Sequence, residues 1–498
     1  MSTFTALEAL LAQQDPRFPT AAAYLAHLGV LSTSVAILDH GTITTHIISS
    51  LTDTVRTRFQ ACSISKPVGA AMSVFRLVEQ GILNLRAPIA TYLAPADIDL
   101  IAGPDSTTRA LVSSITIAQL LSHTSGLETS GAYGYPGYDL AHTERVPTLR
   151  EVLAGISPPV NTLAIEARAF PGQRFCYSGG GTTVVQLIIE SVTKEPYERA
   201  VQRLVLDPLK MEDSTFRWPT NDEINGLGQA VPEDSVGKGG FARAHHAAGT
   251  PCEEPMRVNP EMGAAGLWST PADLLRAVRG MQMALAGKQG NDIAEPELFI
   301  QQALAKEVLE VVQEDYSIGF KHVHGTFGHG GANEPGWRCV VAGSSAVSNE
   351  HAGSEDYESL PPGCGIALMT NSAQGIGIFR KILSAICYLK GWKEVPTEIH
   401  VPTGLPLAAP GEPVPGEWQA WKGVYEGRWE IVEVEGQPAA KLNGSEAMVL
   451  VTAAIPRVEG KGLRLRMKKL EVLISFLDDD VLDIWHGPTG KHQVVKKA

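Results

Sequence analysis

Strand patterns stand at both ends of a long helical stretch, and this arrangement constrains the fold of the chain more than any other feature. Val35-Ala-Ile-Leu38 and Thr42-Ile-Thr-Thr-His-Ile-Ile48 read as strands joined by an Asp-His-Gly turn, and strand patterns return at Tyr316–Lys321, Trp337–Ala342 and Gly365–Thr370. Between them, residues 63 to about 310 carry mainly helical periodicity broken by long loops. Strands so distant in sequence share one core when a sheet is completed from both ends of the chain. The expected fold class is therefore α/β of the α+β type, an antiparallel sheet with an inserted helical subdomain. Ile376 to Leu389 reads as a closing helix.

At 498 residues the chain exceeds a single comfortable core, so more than one domain is expected. Prolines at 396, 402, 406, 410, 413 and 415 make residues 393–416 an extended linker. This divides the chain into a main domain, 1–392, and a C-terminal domain, 417–498. The latter holds short alternating runs, among them Met448-Val-Leu-Val451 and Val472-Leu-Ile-Ser-Phe476, and reads as a small antiparallel β-barrel-like domain, with a structural cap favoured over a ligand carrier.

The net charge of −13 disfavours nucleic acid and anionic membranes as partners. No basic segment followed by an apolar core opens the chain and no later run is long enough to span a bilayer, so a cytoplasmic location is expected. The six cysteines, at 62, 176, 252, 339, 364 and 387, form no C-x-x-C pair, which indicates neither a zinc site nor a disulfide framework.

Chemistry concentrates first at Ser63 and Lys66, in Gln60-Ala-Cys-Ser-Ile-Ser-Lys-Pro67. Residues three apart share one helix face, and a lysine relieved of its proton can take that of a serine hydroxyl. The same spacing recurs at Ser191/Lys194, in the last turns of a helical pattern, and at Ser235/Lys238, in a Gly-rich stretch. Only Ser63 follows an extended segment and opens a long helical pattern, Ile64 to Gly81, in which Pro67 falls in the tolerated first turn. The bland alternative is a Ser63 N-cap with a solvated Lys66. Two further segments stand out: Arg174-Phe-Cys-Tyr-Ser-Gly-Gly-Gly181, a tyrosine at the edge of a Gly-rich turn before a helix, and Phe327-Gly-His-Gly-Gly-Ala332, a strand signal ending in small residues.

In that order these segments resemble the serine β-lactamase and penicillin-binding-protein superfamily, especially its class C, esterase, D-aminopeptidase and acyltransferase branches. Leu120-Leu-Ser-His-Thr-Ser-Gly-Leu127, Pro208-Leu-Lys-Met-Glu-Asp-Ser-Thr-Phe216 and Gly266-Leu-Trp-Ser-Thr-Pro-Ala-Asp-Leu274 are similar to its "LLxHTSGL", "PLGMxDTxF" and "GGLxSTxxDL" segments, so the resemblance covers roughly residues 30 to 390. It implies Ser63 as acylated nucleophile, Lys66 as its base or proton relay, and Tyr177 as the second proton-transfer group. It also implies an oxyanion hole from the backbone N–H groups of Ser63 and Ala332, beside a substrate strand carrying His329, Gly330 and Gly331.

The chain departs from the β-lactamase pattern twice. Gly179 replaces the Asn of Tyr-x-Asn, and His329 replaces the lysine of Lys-Thr-Gly. Both departures favour an ester, thioester or small amide over a β-lactam. The resulting expectation is a serine acyl hydrolase or acyltransferase of small-molecule metabolism. Its partners would be a small acyl substrate and either an acyl acceptor or a carrier-bound thioester, with no cofactor and no metal. A D-aminopeptidase or peptide-cyclising thioesterase-like enzyme, or a non-catalytic binder on the same scaffold, are the alternatives.

Tyr133, Tyr135 and Tyr138, in a Gly/Pro-rich loop, are candidates for a wall over the acyl group, with a solvated loop as the plain alternative. His322-x-His324 and His245-His246 lack companion ligands at metal spacing. Cys62 and Cys176, beside Ser63 and Tyr177, are expected to pack behind the site.

Overall fold

The computed structural model describes residues 2–498 apart from 16, 104–105, 130–134, 141–142, 228–239, 247–248, 255–256, 288–297, 347–359, 391, 393–413, 415, 427–428, 443–446, 453–462, 468–471, 479 and 487–490. Two compact units are distinguished, Gly29–Ile376 and Met1–Leu28 together with Gly377–Ala498.

In the first unit, strands β1 (Ser32–Asp39), β2 (Thr42–Ser49), β3 (Lys321–Val323), β4 (Thr326–Asn333), β5 (Trp337–Ser344) and β6 (Gly365–Thr370) form one sheet in the order β2-β1-β6-β5-β4-β3. Every neighbouring pair is antiparallel, and Val35 faces both His46 of β2 and Leu368 of β6. The sheet is thus closed from both ends of the sequence, β1 against β6, as the strand patterns predict. Nearly all of β1 and all of β6 are buried, and their apolar runs are Val35–Leu38 and Ile366–Met369.

The strand expected at Tyr316–Lys321 forms later, at Lys321–Val323. Gly319 has φ 92°, and Ser317 N–H donates to the Phe320 carbonyl at 2.9 Å, so Tyr316 to Phe320 turn before the chain can extend. His322 is on that short strand, while His324 is in the following turn with φ 46°. The two imidazoles therefore do not share a strand face as a ligand pair. The His322 ring nitrogens contact the Leu309 carbonyl at 2.6 Å and Ser345 Oγ at 2.9 Å.

The helical insertion contributes α1 (Met72–Glu79), α2 (Gly179–Thr193), the single turn α3 (Met262–Ala265) and α4 (Pro271–Ala286). α4 opens on a Thr270 side chain that accepts from Asp273 N–H, with proline in its first turn, and ends on Gly287 in the left-handed region. Ser191 occupies the last turn of α2, with Lys194 as its left-handed C-cap, so that pair ends a helix as the sequence suggests. Ser235 and Lys238 lie outside the described residues.

In the second unit, helices Thr3–Ala12 and Ala21–His27 are capped by the Ser2 and Thr20 hydroxyls, and Lys381 of helix Gly375–Lys390 donates to the Tyr24 hydroxyl at 2.6 Å. Eight strands from Gly423–Tyr425 to Lys491–Lys496 follow one another antiparallel in chain order. Trp421, Tyr425, Trp429, Leu465, Phe476 and Ile484 belong to their core. Ala498 N–H donates to the Val424 carbonyl at 2.8 Å, which brings the end of this barrel-like sheet beside its first strand. Strands Gln437–Leu442 and Lys491–Lys496 escape the sequence reading because Pro, Gln, Lys and His dilute their alternation. Among the described residues, no helix is long and apolar enough to cross a membrane.

Candidate active site

The turn that carries Ser63 is fixed by the segment before it. Phe59–Gln60 pairs with Trp268–Ser269, and Ala61 N–H continues the contact to the Leu267 carbonyl at 2.8 Å. The backbone then turns through Cys62, at φ 49°, into a single 3₁₀ turn, Cys62–Ile64. Ser65 Oγ clamps the turn by donating to the Cys62 carbonyl at 2.5 Å and accepting from Leu267 N–H at 2.9 Å.

The helix expected from Ile64 to Gly81 is wound in two ways: Lys66–Ala71 has the wider π winding and Met72–Glu79 is regular α. Pro67 has no N–H to contribute to the first turns, and such wide turns recur at functional sites. Ser63 therefore sits in the turn ahead of the helix, and its side chain contacts Lys66 in place of a cap. Lys66 Nζ donates to Ser63 Oγ at 2.9 Å and to the Ala264 carbonyl of α3 at 2.9 Å. Lys66 is only 4% exposed, which removes the solvated-lysine alternative. Ala264 is the anchor that sequence reasoning missed, since a carbonyl leaves no trace in residue type.

Tyr177 precedes Ser178, whose hydroxyl caps α2 by accepting from Gly181 N–H at 2.8 Å. The Lys66 ammonium lies 5.1 Å from the Tyr177 ring centroid, which places the three residues around one point. Below the tyrosine, buried His123 accepts from Ser178 N–H on Nδ1 at 3.1 Å, and its ring centroid is 4.5 Å from that of Tyr177. Burial, and then the charge of Lys66, hold the His123 pKa well below that of an ordinary imidazole, so this ring is neutral. Tyr316 packs on His123 at 5.2 Å and reaches His329 at 6.2 Å. His123 was visible as part of the Leu120–Leu127 segment but carried no assigned role; Tyr316 gave no signal beyond a strand pattern.

The substrate strand candidates lie on β4 beside Ser63. His329 is buried, Gly330 and Gly331 are half-buried, and Ala332 is exposed. Gly331 approaches Ser63 so closely that a Cβ there would stand 2.9 Å from Ser63 N and 2.7 Å from both Cys62 Cβ and Cys339 Sγ. Only glycine permits this approach. Cys62 is fully buried behind the turn, as expected. We expect Gly331→Ala to push β4 off the nucleophile and lower kcat/KM for an ester by roughly tenfold to a hundredfold, with little loss of folded protein, measured by steady-state kinetics alongside circular dichroism.

The loop tyrosines separate. Tyr138 enters a two-strand ribbon opposite Val258, and its hydroxyl accepts from Asn161 N–H at 2.9 Å. Tyr135 reaches the site: its hydroxyl occupies the space beside Gly179, where a Cβ would lie 2.0 Å from it. The notch left by the absent Asn is thus filled by another residue's side chain. Tyr133 lies outside the described residues. Tyr135 lies near enough to Glu261 for that carboxylate's charge to add to burial in raising the tyrosine's pKa, and Glu261 is 1% exposed with neither carboxylate oxygen hydrogen-bonded. Burial raises the Glu261 pKa to about 7.

The chain that carries these elements belongs to the β-lactamase family, whose model matches residues 19–385. It is 33% identical over 235 residues to an uncharacterised protein of Mycobacterium tuberculosis, covering 45% of this chain and 53% of that one. It is 28% identical over 247 residues to Esterase EstB of Burkholderia gladioli, covering 45% and 57%. The chain spans about half the length of these curated relatives. Its fold is similar, with a TM-score of 0.56 and 18% identity, to the octameric penicillin-binding protein homologue from Pyrococcus abyssi, over 99% of this chain and 100% of that one.

Proposed function

We propose that the protein is a serine acyl hydrolase that works through a Ser63 acyl-enzyme on an ester or small amide. The observation that carries this reading is the Lys66 amine, buried, anchored on the Ala264 carbonyl and 2.9 Å from Ser63 Oγ. In its neutral form the amine takes the Oγ proton as Oγ attacks the acyl carbon. The Ser63 and Ala332 amides receive the oxyanion. The Tyr177 hydroxyl returns a proton to the departing oxygen or nitrogen, and water attacks the acyl-enzyme by the reverse route. An alcohol or amine in place of water makes the same site an acyltransferase. The resemblance to an esterase in sequence supports the hydrolytic reading.

Substrate choice follows from Gly179 and His329. With Tyr135 filling the notch beside Gly179, no side-chain amide stands there to pair with the amide of a penicillin or cephalosporin. Each buried polar group left unpaired costs a ligand about 1–3 kcal/mol. A short-chain p-nitrophenyl ester is therefore expected to show a kcat/KM at least about tenfold above that of nitrocefin. Intact-mass measurement should find the ester's acyl group on Ser63; a preference for nitrocefin would reverse the assignment of substrate class.

A further inference from the structure

A cleft of about 360 Å³ opens among the turn Pro208–Lys210, helix α4 and the far part of α1. Four of its described lining residues are cations, Arg76, Lys210, Arg276 and Arg279, set around an apolar floor that includes Leu209 and Phe299. No carboxylate is among the described lining residues. In a chain of net charge −13, this convergence of positive charge runs against the background.

Two of the cations are poised for a ligand. The Arg76 guanidinium is held over the Phe299 ring at 5.6 Å and donates through Nη1 to the Phe299 carbonyl at 2.7 Å, which fixes it at the cleft wall. Lys210 has φ 54° and ends a helical stretch, its N–H donating to the Asp207 carbonyl at 3.0 Å. Glycine is the residue suited to that left-handed position, and lysine occupies it at a conformational cost. The strained Lys210 and the fixed Arg76 guanidinium thus set two positive charges on one cleft. By contrast, Arg276 is already paired with Asp273.

We infer that this cleft binds an organic anion, a phosphate or carboxylate attached to a short hydrocarbon body. The anion meets Lys210 and Arg76, and the hydrocarbon lies on Leu209 and Phe299. The site is separate from the serine centre: Arg76 is ten residues beyond Lys66 on the same helical run, roughly 15 Å at 1.5 Å per residue. It stands independently of the proposed reaction.

Calorimetric titration of the full chain with hexyl phosphate and with hexanoate tests the inference, with inorganic phosphate and hexanol as controls. At least one of the two organic anions should bind with a Kd below about 1 mM, and the preferred head group identifies the ligand's source. Inorganic phosphate should bind at least about tenfold more weakly and hexanol not measurably. Lys210→Gly relieves the strained backbone, so it keeps the fold and ester turnover, and it should weaken the organic anion about tenfold or more. Arg76→Gln should do the same, whereas Ser63→Ala should leave binding unchanged. Absence of binding by both organic anions, equal binding by inorganic phosphate, undiminished affinity in Lys210→Gly, or competition by acylation at Ser63 would each overturn the site.

Discussion

Ser63→Ala should lower ester turnover by at least about 10⁴-fold while leaving the unfolding transition in place, because the variant removes the hydroxyl that the anchored Lys66 amine contacts while its surroundings persist. The Lys66 side chain keeps its Ala264 contact, and Ser65 still clamps the turn. Lys66→Ala and Tyr177→Phe should each remove most of the turnover. The double variant should lose far less than the product of the two, since one proton path that is already broken cannot be broken again. Steady-state kinetics on a p-nitrophenyl ester, with intact mass to detect the acyl adduct, decide the matter. Multiplicative losses in the cycle would separate Lys66 from Tyr177, and full activity in Ser63→Ala would move the nucleophile elsewhere.

Residue type and spacing carried the sheet and the Ser63–Lys66 contact because both depend on local pattern. The apolar runs at 35–38 and 365–370 had to be buried together, and they pair across more than 300 residues. The Ser63 context separated it from Ser191 because helix ends leave signals in sequence, and Lys194 does prove to be a C-cap. What was not legible lies in tertiary contact. The carbonyl that anchors Lys66 comes from a single helical turn some 200 residues away, and backbone acceptors are the same at every position. The role of Tyr135 depends on its hydroxyl entering a notch defined by an absent side chain at 179, which no periodicity records. The split of the helix after Ser63 into π and α winding was also invisible, because apolar spacing over so few turns does not distinguish the two.

Glu261 provides the second large effect, and it acts on stability. Its carboxyl is sealed from solvent, accepts no hydrogen bond on either oxygen, and has a folded-state pKa of about 7 against 4.5 when unperturbed. The folded state therefore holds a proton that the unfolded chain releases above pH 4.5. Stability from this group is fully present below pH 4.5, is lost progressively from there to about pH 7, and stays lost above it. At about 1.4 kcal/mol per pKa unit, the loss above pH 7 amounts to about 3 kcal/mol. Glu261→Gln keeps the shape and removes the titration. It should match the parent at pH 4 and exceed it by about 3 kcal/mol at pH 8, read from denaturant unfolding at the two pH values. Because the charge of Glu261 is felt at Tyr135, whose hydroxyl stands beside Gly179, ionisation of Glu261 at alkaline pH should also loosen the wall next to Tyr177. Ester turnover by the parent should therefore fall above pH 7 more steeply than turnover by Glu261→Gln, and parallel pH profiles for the two proteins would confine Glu261 to stability alone.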